Sequence, residues 1–99
     1  MLFAMSATDR PDAGALRAAT RPEHLEHLKH FGTKVAFAGP YLAADGKTPV
    51  GSLVIFEAAD QADAEAFAGA DPFVKAGLFA SMTITPFRVT LQNLPVTGL

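Results

Sequence analysis

The spacing of apolar residues changes several times along the chain, and each change marks an element. Leu2-Phe3-Ala4-Met5 is a short continuous apolar run that predicts a first strand, closed by the polar turn Thr8-Asp9-Arg10-Pro11-Asp12. A helical stretch follows from about Ala13 to Phe31, in which Leu28 and Phe31 fall on the face of His24, with Leu25 beside it. Thr20 and Glu23 have capping-box spacing, and Pro22 is tolerated best in a first helical turn. These signals place the start of the main helix near Arg21, after a shorter helical segment carrying Leu16. Gly32 stops it.

Val35-Ala36-Phe37-Ala38 predicts a second strand, interrupted at Gly39-Pro40. Asp45-Gly46-Lys47 supplies a turn before a third strand over Ser52–Glu57. Asp60 caps a helix whose body is Ala62–Ala70, and Asp71-Pro72 restarts a short helix that Gly77 ends. A last strand is predicted from about Met82 to Leu91, with Pro86 inside it, and the tail Asn93–Leu99 is expected to be loosely held. The order is βαββαβ in a single domain spanning residues 1–99. That order points to an α+β, ferredoxin-like fold with a four-stranded antiparallel sheet.

The prolines argue for one strand order. Pro40 and Pro86 fall in the second and fourth strands, where a missing N–H is tolerated at a sheet edge, and the first and third strands contain none. In the third strand, Leu53, Val54, Ile55 and Phe56 are consecutive, so both of its faces call for burial. Two helices cover one face of a four-stranded sheet. The other needs a partner, and a second copy of the chain is the simplest one.

Composition narrows the function. The 99-residue chain is 49% hydrophobic and 18% charged, so it is globular, and at a net charge of -2 with no basic run it lacks the footprint of a nucleic-acid binder. There is no cysteine, which excludes a disulfide framework, a thiolate metal site and a cysteine nucleophile. The apolar run Met1–Met5 is too short for a signal peptide, and nothing approaches a membrane span. A cytoplasmic location is expected, with no membrane partner.

Several residues are candidates for chemistry. Near the positive end of the predicted main helix, His24 would be favoured as a neutral imidazole, the form a general base needs, though spacing alone favours a boundary histidine bonded within its own helix. Asp71 is placed to cap the helix that starts at Pro72. His24, His27 and His30 resemble a metal tract, but at ~100° per residue the third lies ~120° from the first, so all three cannot grip one ion, and His27 and His30 are expected to be exposed. Ser52 offers a hydroxyl without any nucleophile-elbow sequence around it, which favours orienting a ligand over nucleophilic attack. Arg21, three positions before His24, is a candidate for a ligand's carboxylate or phenolate oxygen. Gly39-Pro40 reads as a kink that lets backbone approach a pocket, and Phe37, Tyr41, Phe73 and Phe79 are candidate apolar walls. No phosphate loop, dinucleotide fingerprint or other cofactor signature is present.

Arg21-Pro22-Glu23-His24-Leu25, Gly39-Pro40, Asp71-Pro72-Phe73 and Gly77-Leu78-Phe79 follow one another in an order that resembles the YCII family, over about residues 1–91. The resemblance implies a ferredoxin-like domain that packs sheet to sheet as a dimeric α+β barrel. It also implies a pocket in which the aspartate of D-P-F faces the helix histidine, here a His24–Asp71 dyad. The related activities are dehydrochlorination and lactone isomerisation, so the implied chemistry is cofactor-free proton abstraction with elimination or isomerisation on a small organic molecule. The alternative is a non-catalytic module that binds a small ligand or serves in assembly or regulation.

Overall fold

The computed structural model describes residues 1–93. Strand β1 (Leu2–Asp9) leads into helix α1 (Gly14–Phe31), a single 3₁₀ turn (Gly32–Lys34), and strands β2 (Val35–Leu42) and β3 (Pro49–Glu57). Helices α2 (Gln61–Gly69) and α3 (Pro72–Lys75) and strand β4 (Phe79–Phe87) complete the chain. The strands form one antiparallel sheet in the order β2-β3-β1-β4, a ferredoxin-like arrangement. Pro40 and Pro86 therefore sit in edge strands, while β3, expected to hold no proline, opens on Pro49 at its first residue, a position where a strand tolerates one. The expectation for the tail Asn93–Leu99 falls, beyond Asn93, outside the described part.

Alternation along the strands assigns the two faces. Phe3 and Met5 pair with Phe56 and Val54, and these four are fully buried under the helices with Phe67, Ala64 and Ala68 of α2. On the opposite face lie Leu53 and Ile55 of β3, Phe37 and Tyr41 of β2, and Phe87 of β4. Phe37 is 50% exposed, Tyr41 41% and Phe87 43%, and among the described residues no helix lies above them. The double-sided apolar character of β3 thus has a structural counterpart: one side is core and the other is an uncovered apolar sheet face.

All four strands are longer than predicted or shifted, β3 beginning at Pro49 rather than Ser52. β1 continues to Asp9 because Ser6 and Thr8 alternate with buried Ala7, so polar residues on the open face resemble a turn in sequence. β2 runs through Gly39-Pro40 without a break, and β4 begins at Phe79 and ends at Phe87.

The largest correction concerns α1. There is no helix start at Arg21 and no capping box: the helix begins at Gly14 and passes unbroken through Pro22, and Thr20 is buried within it. Pro22 has no N–H to offer the Ala18 carbonyl one turn earlier, a loss that is bearable because Pro22 and Ala18 are both exposed to water. Burial of the face carrying Arg17, Thr20, His24 and Leu28 outweighs the local stop signal. An interior proline costs about 3 kcal/mol relative to alanine. Pro22→Ala is therefore expected to raise stability by about 1–3 kcal/mol in urea unfolding, whereas a proline in a true first turn would give almost no change. Gly32, at φ 55° and ψ -126°, takes a positive-φ conformation open chiefly to glycine, and α1 ends there.

Among the described residues, no helix is long and apolar enough to cross a membrane.

Candidate active site

One end of the helix-covered face holds a pocket of about 320 Å³ between α1, β2, the start of β3 and α3. Its polar groups are Arg17, Arg21 and His24 from α1, Thr48 just before β3, and Ser52 from β3. Apolar groups such as Leu25, Pro40 and Phe73 make up most of the rest of the wall.

His24 lies in the middle of α1, so the helix-dipole argument that favoured a neutral imidazole does not apply to it. A carboxylate orients it instead. His24 Nδ1 is 2.9 Å from one Asp71 oxygen and 3.0 Å from the other, and Asp71 is fully buried. Because a carboxylate only accepts, Nδ1 carries the hydrogen of this contact. Nε2 is then left as the ring nitrogen on the pocket side of the bond, unsealed and without a hydrogen-bond partner among the described residues. The ring is further fixed by stacking on Phe73, with centroids 4.0 Å apart and planes 16° from parallel.

Asp71 fills both roles read for it. It is the N-cap of α3, accepting the Phe73 N–H at 2.9 Å, and the same carboxylate receives Nδ1–H. Pro72 at the first position of α3 fixes the turn, so the cap holds Asp71 while its next neighbour Phe73 supports the imidazole it faces.

A second polar network, centred on Arg17, is not among the expected site residues. Arg17 is 7% exposed, and its guanidinium grips Asp9 side-on, Nε to Oδ2 at 2.7 Å and Nη2 to Oδ1 at 2.9 Å. Nη2 also donates to the Gly51 carbonyl at 2.7 Å and to Ser52 Oγ at 2.8 Å. The guanidinium carbon sits 4.8 Å from the centre of the Phe73 ring. A side-on fork of this kind fixes both charge and direction. The signal was present: on a continuous helix Arg17 lies two turns before His24, within ~20° of its face, while Arg21 is ~60° away. The apparent helix start at Arg21 concealed it.

The remaining candidates are distributed as follows. Arg21 is exposed at the pocket edge and makes no hydrogen bond among the described residues. Ser52 is buried, its oxygen already accepting from Arg17. Gly39 and Pro40 line the pocket from β2. Of the four aromatic residues, Phe73 lines the pocket and Phe79 packs edge-on behind it, but Phe37 and Tyr41 point to the open sheet face, where the Tyr41 hydroxyl meets Ser6 Oγ at 3.0 Å. Gly51 allows the close contact beneath them, since a Cβ there would collide with the Ala7 carbonyl.

His27 also departs from expectation. It is half-buried against Phe31 and Phe67, with ring centroids 5.1 Å away in each case, and is not a solvated helix residue. Its Nε2 is buried without a properly directed partner, although the nearby Phe67 carbonyl and the Asp71 charge favour its protonation. Desolvation prevails and holds its pKa below the ordinary 6.5. With the folded value below the unfolded one, stability is full above about pH 6.5 and declines as pH falls through the lowered value. His27→Leu is expected to flatten the fall in urea stability between neutral pH and pH 5, and an unchanged slope would contradict the assignment.

Comparison with known proteins agrees with this architecture. The family model described as the YCII-related domain matches residues 1–88. Protein YciI of Escherichia coli O6:H1 is 36% identical over 95 residues, covering 89% of this chain and 97% of the relative, and an uncharacterised Haemophilus influenzae protein is 33% identical over the same coverage. Among solved structures, 5-chloro-2-hydroxyhydroquinone dehydrochlorinase from Burkholderia phenoliruptrix AC1100, in complex with 2,5-dihydroxybenzoquinone, superposes with a TM-score of 0.83 at 35% identity, covering 89% of this chain and 94% of that one. A match over nearly the full length, with both relatives above 30% identity, makes this chain a member of the YCII-related domain family.

Proposed function

We propose that the protein is a cofactor-free acid–base enzyme acting on a small organic molecule, with His24 as the proton-transfer group and Asp71 as its positioning residue. The observation that carries this reading is the fully buried Asp71 carboxylate on Nδ1 of a histidine that lines a pocket of about 320 Å³. That volume is at the lower end for small-molecule sites and suits a molecule with a single ring. With Nδ1–H engaged, His24 Nε2 accepts a proton from the substrate, and Asp71 stabilises the imidazolium that forms. The proton then returns at another atom, giving isomerisation, or a leaving group departs, giving elimination. The similar dehydrochlorinase makes elimination from a hydroxylated ring the reaction to try first. Arg21, Ser52, Gly39, Pro40 and Phe73 are the proposed substrate-contacting residues.

We also propose that the protein works as a homodimer, joined through the open sheet face that bears Phe37, Tyr41, Leu53 and Phe87. Exposed aromatic residues gathered on one uncovered face are the mark of an interaction surface.

The test of the catalytic reading is incubation with chlorinated and unchlorinated hydroxyhydroquinones, reading chloride release and solvent-deuterium incorporation. Turnover that disappears in His24→Gln supports it. Tight ligand binding with neither chloride release nor exchange would favour a ligand-binding module instead.

A further inference from the structure

Arg17 is buried, charged and only partly used. Its Nε and Nη2 are committed to Asp9, the Gly51 carbonyl and Ser52, yet among the described residues no acceptor meets Nη1. Nη1 is nevertheless not a sealed, orphaned donor, since among the described residues the one buried side-chain polar atom without a partner is His27 Nε2. Arg17 lines the pocket together with His24 and Phe73. Arg17 thus lines the pocket with one edge of its guanidinium locked and the other uncommitted.

We infer that Arg17 Nη1 holds an anionic oxygen of the substrate, so that the substrate class is a small, ring-sized molecule bearing an enolate or phenolate oxygen. The inference rests on the acid–base reading of His24 and supplies its missing half. When Nε2 removes a proton from a carbon or hydroxyl conjugated to a carbonyl, the C–H or O–H electron pair moves to the carbonyl oxygen. The proton resides on His24 and the negative charge on that oxygen. Arg17 stabilises the charge without moving, because Asp9 and Ser52 already fix its orientation. Its position in the fold also gives Arg17 a role that exposed Arg21 is poorly placed to fill: only a desolvated, oriented cation keeps most of its strength against water.

The experiment compares two probes of similar ring size, 2,5-dihydroxybenzoquinone in its ionised form and its neutral dimethyl ether, by titration at neutral pH. The wild-type protein is expected to bind the ionised probe roughly tenfold to a hundredfold more tightly than the ether, as a charge-assisted hydrogen bond implies. Arg17→Met combined with Asp9→Asn, which avoids leaving a buried carboxylate unpaired, is expected to abolish that preference. His24→Gln is expected to retain it. A separate readout on the wild type alone follows the Arg17 guanidinium resonances by ¹⁵N NMR, which should shift with the ionised probe and not with the ether. Equal binding of the two probes by wild type, no binding of either, or a preference that survives loss of Arg17 would overturn the inference. Loss of proton exchange in His24→Gln with the preference intact separates the two roles: anion binding then belongs to Arg17 and proton transfer to His24. No exchange even in wild type, with the preference intact, would remove the catalytic reading and leave the Arg17 assignment standing.

Discussion

His24→Gln is expected to lower proton-transfer turnover by about 10²–10⁴-fold, the usual contribution of a positioned acid–base group. Gln fills similar space against Phe73, so the fold should survive with a melting temperature within a few degrees of wild type. Asp71→Asn separates the two duties of the carboxylate. Asn is also a good N-cap, so the bond from Phe73 N–H is kept, but the charge that would stabilise a protonated His24 is lost. The expected result is a folded protein with turnover lowered by about 10–100-fold, the scale typical of outer partners of a reacting group. Asp71→Ala removes the cap and the imidazole's partner together, and about 2–4 kcal/mol of stability should go with them. Full activity in Asp71→Ala would mean that the buried pair serves the fold alone.

A charge on the open sheet face is expected to have the second-largest effect. Phe37→Asp is the informative change, because Phe37 is half exposed and its loss leaves the helix-side core intact. In a sheet-to-sheet dimer, each copy would then bury an unpaired carboxylate at a cost of several kcal/mol. Weakening of dimerisation by at least 10²–10³-fold follows, read by sedimentation as a folded monomer with unchanged circular dichroism. Ile55→Asp is a harsher variant: Ile55 is 3% exposed within the chain itself, so unfolding accompanies dissociation. Val54 faces the core, and a charge there would report on folding only. A wild type that sediments as a monomer at micromolar concentration would contradict the dimer.

Local chemistry made the sheet order and the three helices readable. Proline cannot donate to a central ladder, so Pro40 and Pro86 marked β2 and β4 as edges. Asp60 and Asp71 are capping residues by type, and both accept the expected backbone N–H. What failed was each judgement in which tertiary burial competed with a local signal. The T-x-x-E spacing and Pro22 argued for a helix start, but burial of Arg17, Thr20, His24 and Leu28 on one face made a single helix. Misplacing that start hid Arg17, and reading β1 as ending in a turn hid Asp9, its partner. His27 became half-buried because Phe67, forty positions later, closes over it. His24 and Asp71 stood out through family resemblance. Their 2.9 Å contact is a long-range product of the fold that spacing alone does not dictate.

The central claim is that Asp71 holds the proton on His24 Nδ1 and leaves Nε2 free to accept one. Long-range ¹H–¹⁵N correlation spectra of the histidine rings at alkaline pH test it without a substrate. The account predicts that His24 is the Nδ1–H tautomer, with Nε2 carrying a lone pair, and that Asp71→Ala loses this bias. A His24 found with its hydrogen on Nε2 in the wild-type protein would contradict it, because the nitrogen facing the pocket would then be a donor with no capacity to act as a base.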